Sequence, residues 1–134
     1  MRLLTAIAIA LCASGCSHPV ATVHVDVGAT FRLAPGEVAA VGDEALLIGF
    51  REVLGDSRCP ITVVCVWQGD AEVLMQTASG GDGWSPTTLH TGVEPRTRGV
   101  DGFLITLVQV EPAPLETPID PGDYRITVTV EEDS

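Results

Sequence analysis

The chain has 134 residues, no Lys and a formal net charge of −11. That length accommodates one sandwiched core and not two domains. The acidic balance argues against nucleic acid, whose phosphates need Lys and Arg to neutralise them, and against electrostatic attraction to anionic lipid. It permits a basic partner or a divalent cation, and its plainest role is to keep the domain soluble.

The first residues read as an export signal. Arg2 precedes an apolar run, Leu3 to Cys12, that is too short to span a bilayer core, which takes roughly 20 apolar residues. Ala13-Ser14-Gly15-Cys16 follows. Small side chains before a cysteine suit the narrow site of a lipoprotein signal peptidase. The stretch resembles the bacterial lipobox, with Ala13 where Leu is usual. On that reading residues 1–15 are removed, Cys16 carries diacylglycerol and its acyl chains, and residues 16–22 form a lipidated head and short tether. Ordinary signal-peptide cleavage near Gly15 is the alternative. Cysteine arithmetic agrees with lipidation: Cys12 leaves with the signal, Cys59 and Cys65 pair with each other in an oxidising compartment, and Cys16 is left over. Ser17 after Cys16 resembles the default signal for the outer membrane of a Gram-negative envelope. Without Arg2 the mature charge is −12.

Beyond the tether the pattern is β, over 23–131, with an acidic tail at 132–134. Thr22 to Val27 alternates, with its valines on one face and His24 on the other. Thr30 to Leu33 is a short strand ending at Ala34-Pro35-Gly36, a turn by composition. Glu37 to Val41 is another. Ala45 to Leu54 places Leu46, Ile48 and Phe50 on one face. After the loop 55–64, Cys65-Val66-Trp67 and Asp70 to Thr77 read as two strands around a turn at Gln68-Gly69, with Trp67 covering the cysteines as core. Residues 79–86 are a Gly-rich loop bearing Trp84, an exposed recognition residue or an anchor folded onto the sandwich. Thr87 to Thr91 is a short strand, and 92–101 a polar loop carrying Arg96 and Arg98. Phe103 to Val110 is the strongest core strand. Prolines 112, 114, 118 and 121 hold an extended connection. Tyr124 to Val130 closes the chain with Tyr124, Ile126, Val128 and Val130 on one face. Seven to nine short strands with frequent turns predict a two-sheet β-sandwich of immunoglobulin-like type, with a small closed barrel as runner-up.

The segment Asp56-Ser57-Arg58-Cys59-Pro60, then Cys65-Val66-Trp67-Gln68-Gly69-Asp70-Ala71, resembles an uncharacterised family of bacterial secreted proteins and lipoproteins. Its mark is Asp-Ser-Arg-Cys-Pro followed by Cys-x-Trp-x-Gly-x-Ala. Phe31 to Gly36, Leu107 to Pro112 and Tyr124 extend the likeness over most of the mature chain. The resemblance implies an exported β domain with a disulfide and supplies no catalytic residues.

Chemistry is hard to find in the residues. Ser57 or Ser85 with His90 and an acid makes a triad only on paper, because no Gly-x-Ser-x-Gly elbow is present. His18, His24 and His90 lack metal-ligand spacing, and the spacing of Cys59 and Cys65 is not a usual zinc pattern. Asp82 between glycines lacks the acid ladder of a calcium loop. No cofactor or metal is expected. The expected role of Asp56 and Arg58 is structural, the acid capping turn amides and the guanidinium pairing with an acid. Asp56, Arg58, Trp67 and Trp84 remain the residues for a binding loop. If Cys59 and Cys65 are bonded, residues 60–64 must curl back: six extended steps cover roughly 20 Å, and a disulfide needs Cα atoms within about 7 Å. Three functions fit: a lipid-anchored, non-enzymatic binding domain, a small secreted inhibitor, for example of a protease, and a hydrolase or metal-dependent enzyme. The first accounts for the most residues.

Overall fold

The structure, a computed structural model, describes residues 22–81 and 83–133. The expected signal segment, Cys16, His18 and the tether up to residue 21 lie outside the described residues, as do Asp82 and Ser134. Nine strands follow in chain order: β1 (Thr22–Val25), β2 (Thr30–Leu33), β3 (Val38–Val41), β4 (Leu46–Asp56), β5 (Ala71–Ser79), β6 (Ser85–His90), β7 (Thr97–Val100), β8 (Phe103–Glu111) and β9 (Arg125–Glu132). One turn of 3-10 helix, Pro121–Asp123, precedes β9. No helix among the described residues is long and apolar enough to cross a membrane.

The strands form two sheets, ordered β1-β3-β4-β5-β6 and β2-β9-β8-β7. Among the described residues only β1 and β3 pair in parallel. Each sheet keeps two edges, so the fold is an open sandwich and not the closed barrel.

Period-two patterning builds the core. Leu46, Ile48 and Phe50 of β4 and Val73 and Met75 of β5 point inward and are fully buried, and they meet Ile105, Leu107, Ile126 and Val128 of the other sheet. Burying each such side chain contributes about 1.5–3 kcal/mol, before the entropy of ordering the chain is set against it. Bulges interrupt the alternation. In β8 a register shift between Leu107 and Gln109 turns Val110, and not Gln109, into the core, while Val108 stays exposed. In β4 two shifts, at Phe50/Glu52 and Val53/Gly55, bend the strand toward its C-terminal end.

Three expectations need correction. Cys65-Val66-Trp67 forms no strand. Residues 97–100, expected in a polar loop, form edge strand β7 against β8, with Thr97 and Thr106 joining their hydroxyls across the pair at 2.9 Å. Four residues with no alternating apolar face carry no signal, so only pairing with β8 makes them a strand. Glu132, expected in the acidic tail, is the last residue of β9, because it pairs with Phe103, although it stays exposed.

The two ends of the sandwich differ. One end gathers the β4–β5 connection (57–70), the β6–β7 loop and the connection 112–124. The other gathers the turns at 42–45, 80–84 and 101–102. Strand β1 runs parallel to β3, with Thr22 opposite Val38 and Val25 opposite Val41, and Val38 pairs with Gly49 of β4. From Gly49, β4 runs on to Asp56 at the first end. Thr22 is therefore the terminus of β1 that faces the β4–β5 connection.

Candidate functional site

The β4–β5 connection starts as a continuation of the ladder. The Ser57 amide donates to the Asp70 carbonyl (2.7 Å) and the Cys59 amide to the Gln68 carbonyl (2.8 Å). Gly69 permits this pairing. Its φ is +74°, and a Cβ there would stand 1.9 Å from the Ser57 carbonyl oxygen. A Cβ on Gly92 would stand equally close to the Gly69 carbonyl oxygen, so three backbone segments stack where only hydrogens fit.

Arg58 leaves this root and turns inward. Its Nε and NH2 donate to Oδ1 and Oδ2 of Asp56, both at 2.8 Å, in a bidentate fork. NH1 donates to the Val110 carbonyl (2.7 Å) and NH2 also to the Pro112 carbonyl (3.0 Å). Tyr124 closes the cluster, its hydroxyl donating to Asp56 Oδ2 at 2.9 Å. The two charged side chains are 13% and 14% exposed, so little of the guanidinium is left for a ligand. Burial pulls the Asp56 carboxyl up, but the Arg58 and Tyr124 hydrogen bonds and the Arg58 charge outweigh it and hold the group below its ordinary value. The Tyr124 hydroxyl is pushed up to about 12 by burial and by the Asp56 carboxylate it bonds. The structural role expected for Asp56 and Arg58 is what the geometry describes. Tyr124, expected only as a core residue, is the third member. Its place after the 112–123 connection, far from Asp56 in sequence, hides it from any local motif.

A second clip sits beside the first. Asp70 Oδ2 accepts from His90 Nδ1 at 2.7 Å, and Oδ1 accepts the amides of Thr91 (3.1 Å) and Gly92 (2.8 Å). Burial raises the Asp70 carboxyl, and the His90 and amide bonds more than offset this, leaving it below its ordinary value. An ionised carboxylate only accepts, so His90 Nδ1 carries the hydrogen. Ser57 lies against the same residue, but its hydroxyl donates to the Asp70 carbonyl (3.1 Å) and accepts from the Asp70 amide (3.2 Å). The acid and histidine of the paper triad do meet. The serine hydrogen is committed to backbone and not to the imidazole. No local pattern marks the Asp70–His90 pair, whose members stand 20 positions apart. Among the described residues no group of three His, Cys, Asp or Glu side chains stands ready to hold a metal.

Beyond the root the chain curls. Cys59 and Cys65 are disulfide-bonded with Cα atoms 6.0 Å apart, as the spacing argument requires. The Val63 amide donates to the Pro60 carbonyl (3.2 Å) and the Ile61 amide to the Pro114 carbonyl (3.0 Å), tying the curl to the 112–124 connection. The tip is left in solvent. Val64 and Val66 are as exposed as in an extended chain (100% and 106%), and Ile61, Val63 and Leu115 are exposed beside them. Trp67 is 57% exposed, which corrects its expected place in the core. Cys65 turns toward Cys59, main-chain pairing resumes only at Gln68, and residues 65–67 have no sheet to bury against. From Cys59 to Gly69 no residue is charged.

Trp84 is not part of this assembly. It immediately precedes β6, at the other end, and lines a depression of about 590 Å³ with Leu47, Gly49, Arg51 and Gln76 on the outer face of the five-stranded sheet. Asp56, Arg58 and Trp67 thus share one loop, and Trp84 stands apart, partly exposed.

No protein-family model matches the chain, and no curated protein or solved structure is similar to it at a significant level.

Proposed function

We propose that this protein is an exported envelope lipoprotein, anchored through acyl chains on Cys16, whose sandwich acts by binding through its disulfide loop and not by catalysis. One observation carries the reading. A covalently closed loop on a saturated polar root presents Ile61, Val63, Val64, Val66 and Trp67 to solvent. Contiguous exposed apolar surface on a rigid scaffold marks an interaction site. The commitment of the Ser57 hydroxyl to Asp70, and of the Arg58 donors to Asp56 and main-chain carbonyls, supports a structural role for the polar clusters. The lipobox-like Ala13-Ser14-Gly15-Cys16 supports the anchor, and Ser17 supports sorting to the outer membrane.

Two measurements test this. The wild-type protein should stay with membranes after a high-salt wash and carry a lipidated N-terminal Cys16 by mass spectrometry, while Cys16→Ser should be released. A photo-crosslinker in place of Val66 should capture an envelope component in intact cells, and one in place of Thr88, on the outer face of β6, should not. Substrate turnover by the purified protein that is lost on His90→Ala would replace this reading with an enzymatic one.

A further inference from the structure

We infer that the disulfide loop is a shallow membrane-contact element, and that the envelope component it meets is the neutral lipid surface beside the protein's own anchor. The inference rests on the anchor reading and names the partner of the same loop.

Placement is the first argument. Thr22 is the terminus of β1 that faces the disulfide loop, so the chain enters the sandwich from that end. Six Cα–Cα steps separate Thr22 from Cys16, which limits the span to about 20 Å. From Gly49, level with Thr22, to Asp56 at the loop root is seven steps, about 23 Å before the two bulges shorten it. The tether therefore reaches no farther than about the loop root. A bilayer holding the acyl chains on Cys16 lies no farther out than that level, so the tip, which projects beyond the root, meets its surface.

Chemistry is the second. The stretch Cys59 to Gly69 has no charge to desolvate, and its outermost side chains, Val64 and Val66, are fully exposed. Trp67 follows them at the base of the tip, and Trp is the side chain most at home at headgroup level, with an apolar ring and one N–H donor. The depth is limited by the backbone. Among the described residues the amides of 64–67 make no hydrogen bond, and unpaired amides are not tolerated in hydrocarbon. The tip therefore reaches the headgroup and ester layer and stops there. Charge selects the lipid: Glu94, Glu116, Asp120 and Asp123 outnumber Arg96 and Arg125 among the solvent-facing charges at the same end, so a zwitterionic surface is favoured over an anionic one. A protein partner would need none of this alignment with the anchor.

The test supplies the anchor chemically. The chain from Cys16 onward, which holds every described strand, is coupled through the Cys16 thiol to a maleimide phospholipid in phosphatidylcholine vesicles. With Trp84→Phe, Trp67 is the only tryptophan. Phosphatidylcholine brominated near the ester end should quench its emission about twofold, and lipid brominated deep in the chain should quench it less. Val64→Asp with Val66→Asp should remove the quenching while leaving the unfolding midpoint unchanged, because neither side chain touches the core. Replacing a third of the lipid by phosphatidylglycerol should weaken the quenching at low salt, and added salt should restore it. In the Trp67→Phe protein, Trp84 should stay unquenched. Trp67 quenched no more than Trp84, or equally in the Asp variant, overturns the inference. So does a Val66 crosslinker that captures one protein stoichiometrically while vesicle-tethered Trp67 stays unquenched. A native Cys16 without lipid removes the anchor reading and leaves the vesicle measurement unaffected, so the two failures are told apart.

Discussion

The root and the tip of the disulfide loop lie only a few residues apart and follow opposite rules. At the root, two charges are taken largely out of water and every strong bond is made: Arg58 reaches Asp56 twice and two carbonyls besides, and Tyr124 closes the ring. No buried side-chain polar atom among the described residues lacks a partner. At the tip, apolar side chains stand in water and main-chain amides go unpaired. Folding alone accounts for the root, since the loop must be tied to β8 and β9 to have any fixed shape. It does not account for Val64 and Val66, whose side chains are fully exposed and bury nothing. The contrast ties the root to stability and leaves the tip to the binding role proposed for it, and it can be broken by substitutions at either place.

The largest effect is expected from Arg58→Ala. Removing one partner of a buried, hydrogen-bonded pair leaves the other desolvated and unpaired, and the Val110 and Pro112 carbonyls lose their donor as well. Urea unfolding should show a loss of about 3 kcal/mol. If the loss is below about 0.5 kcal/mol, the root behaves as an ordinary surface ion pair and the contrast fails.

Opening the disulfide by replacing Cys59 and Cys65 together with Ser should cost about 2 kcal/mol, the chain-entropy value for so small a ring. The root should survive, because its hydrogen bonds do not run through the sulfurs. Hydrogen exchange should speed up at residues 60–67 and stay slow at the amides of Ser57 and Ala71. Equal acceleration at those two amides would mean that root and tip unfold as one unit.

The root's titration gives the third test, with opposite signs at the two ends of the pH scale. The Asp56 and Asp70 carboxyls are held below their ordinary value in the folded protein. Their contribution is therefore fully present above the unfolded value, about 3.9, and fades as pH falls through the lower folded values. Tyr124 is raised from 10.0 to about 12. Its contribution is fully present below pH 10 and is lost as pH rises from there toward 12, where only the unfolded chain ionises readily. Tyr124→Phe removes one hydrogen bond to a carboxylate and should cost about 1.5 kcal/mol at neutral pH. Its unfolding free energy should fall less than that of wild type between pH 10 and 12. Parallel curves for the two proteins across that range would place the alkaline loss elsewhere.

The sandwich was legible wherever alternation and burial coincide. Spacing alone gives Leu46, Ile48 and Phe50 their face, and likewise Tyr124, Ile126, Val128 and Val130, because a half-buried strand imposes period two on its own sequence. Legibility stopped where partners are distant. Thr97–Val100 became a strand only through its pairing with β8. Tyr124 joins Asp56 across 68 positions, and Asp70 meets His90 across 20. Trp67 was misplaced for a different reason. Hydrophobicity locates a residue in the core only if a sheet is there to cover it, and the ring closed at Cys65 carries Trp67 past the end of the sandwich. The short reach of the disulfide, which makes residues 60–64 curl, carries Trp67 outward as well.

The smallest effect belongs to the tip. Val66→Ser deletes a branched apolar side chain, which in a core would cost well over 1 kcal/mol. Here the side chain is 106% exposed and touches no core residue, so the folded state loses no burial. The unfolded chain exposes the same side chain, so its hydration cancels between the two states. The expected change in unfolding free energy is within about 0.5 kcal/mol of zero, and an equal result is expected for Val64→Ser. Solubility should move instead. Removing apolar surface from an exposed loop should raise the concentration at which the protein self-associates, measured by light scattering. A stability loss above about 1 kcal/mol for either variant would mean that the tip packs onto the domain in solution, and the division between a root that stabilises the fold and a tip that does not would fail.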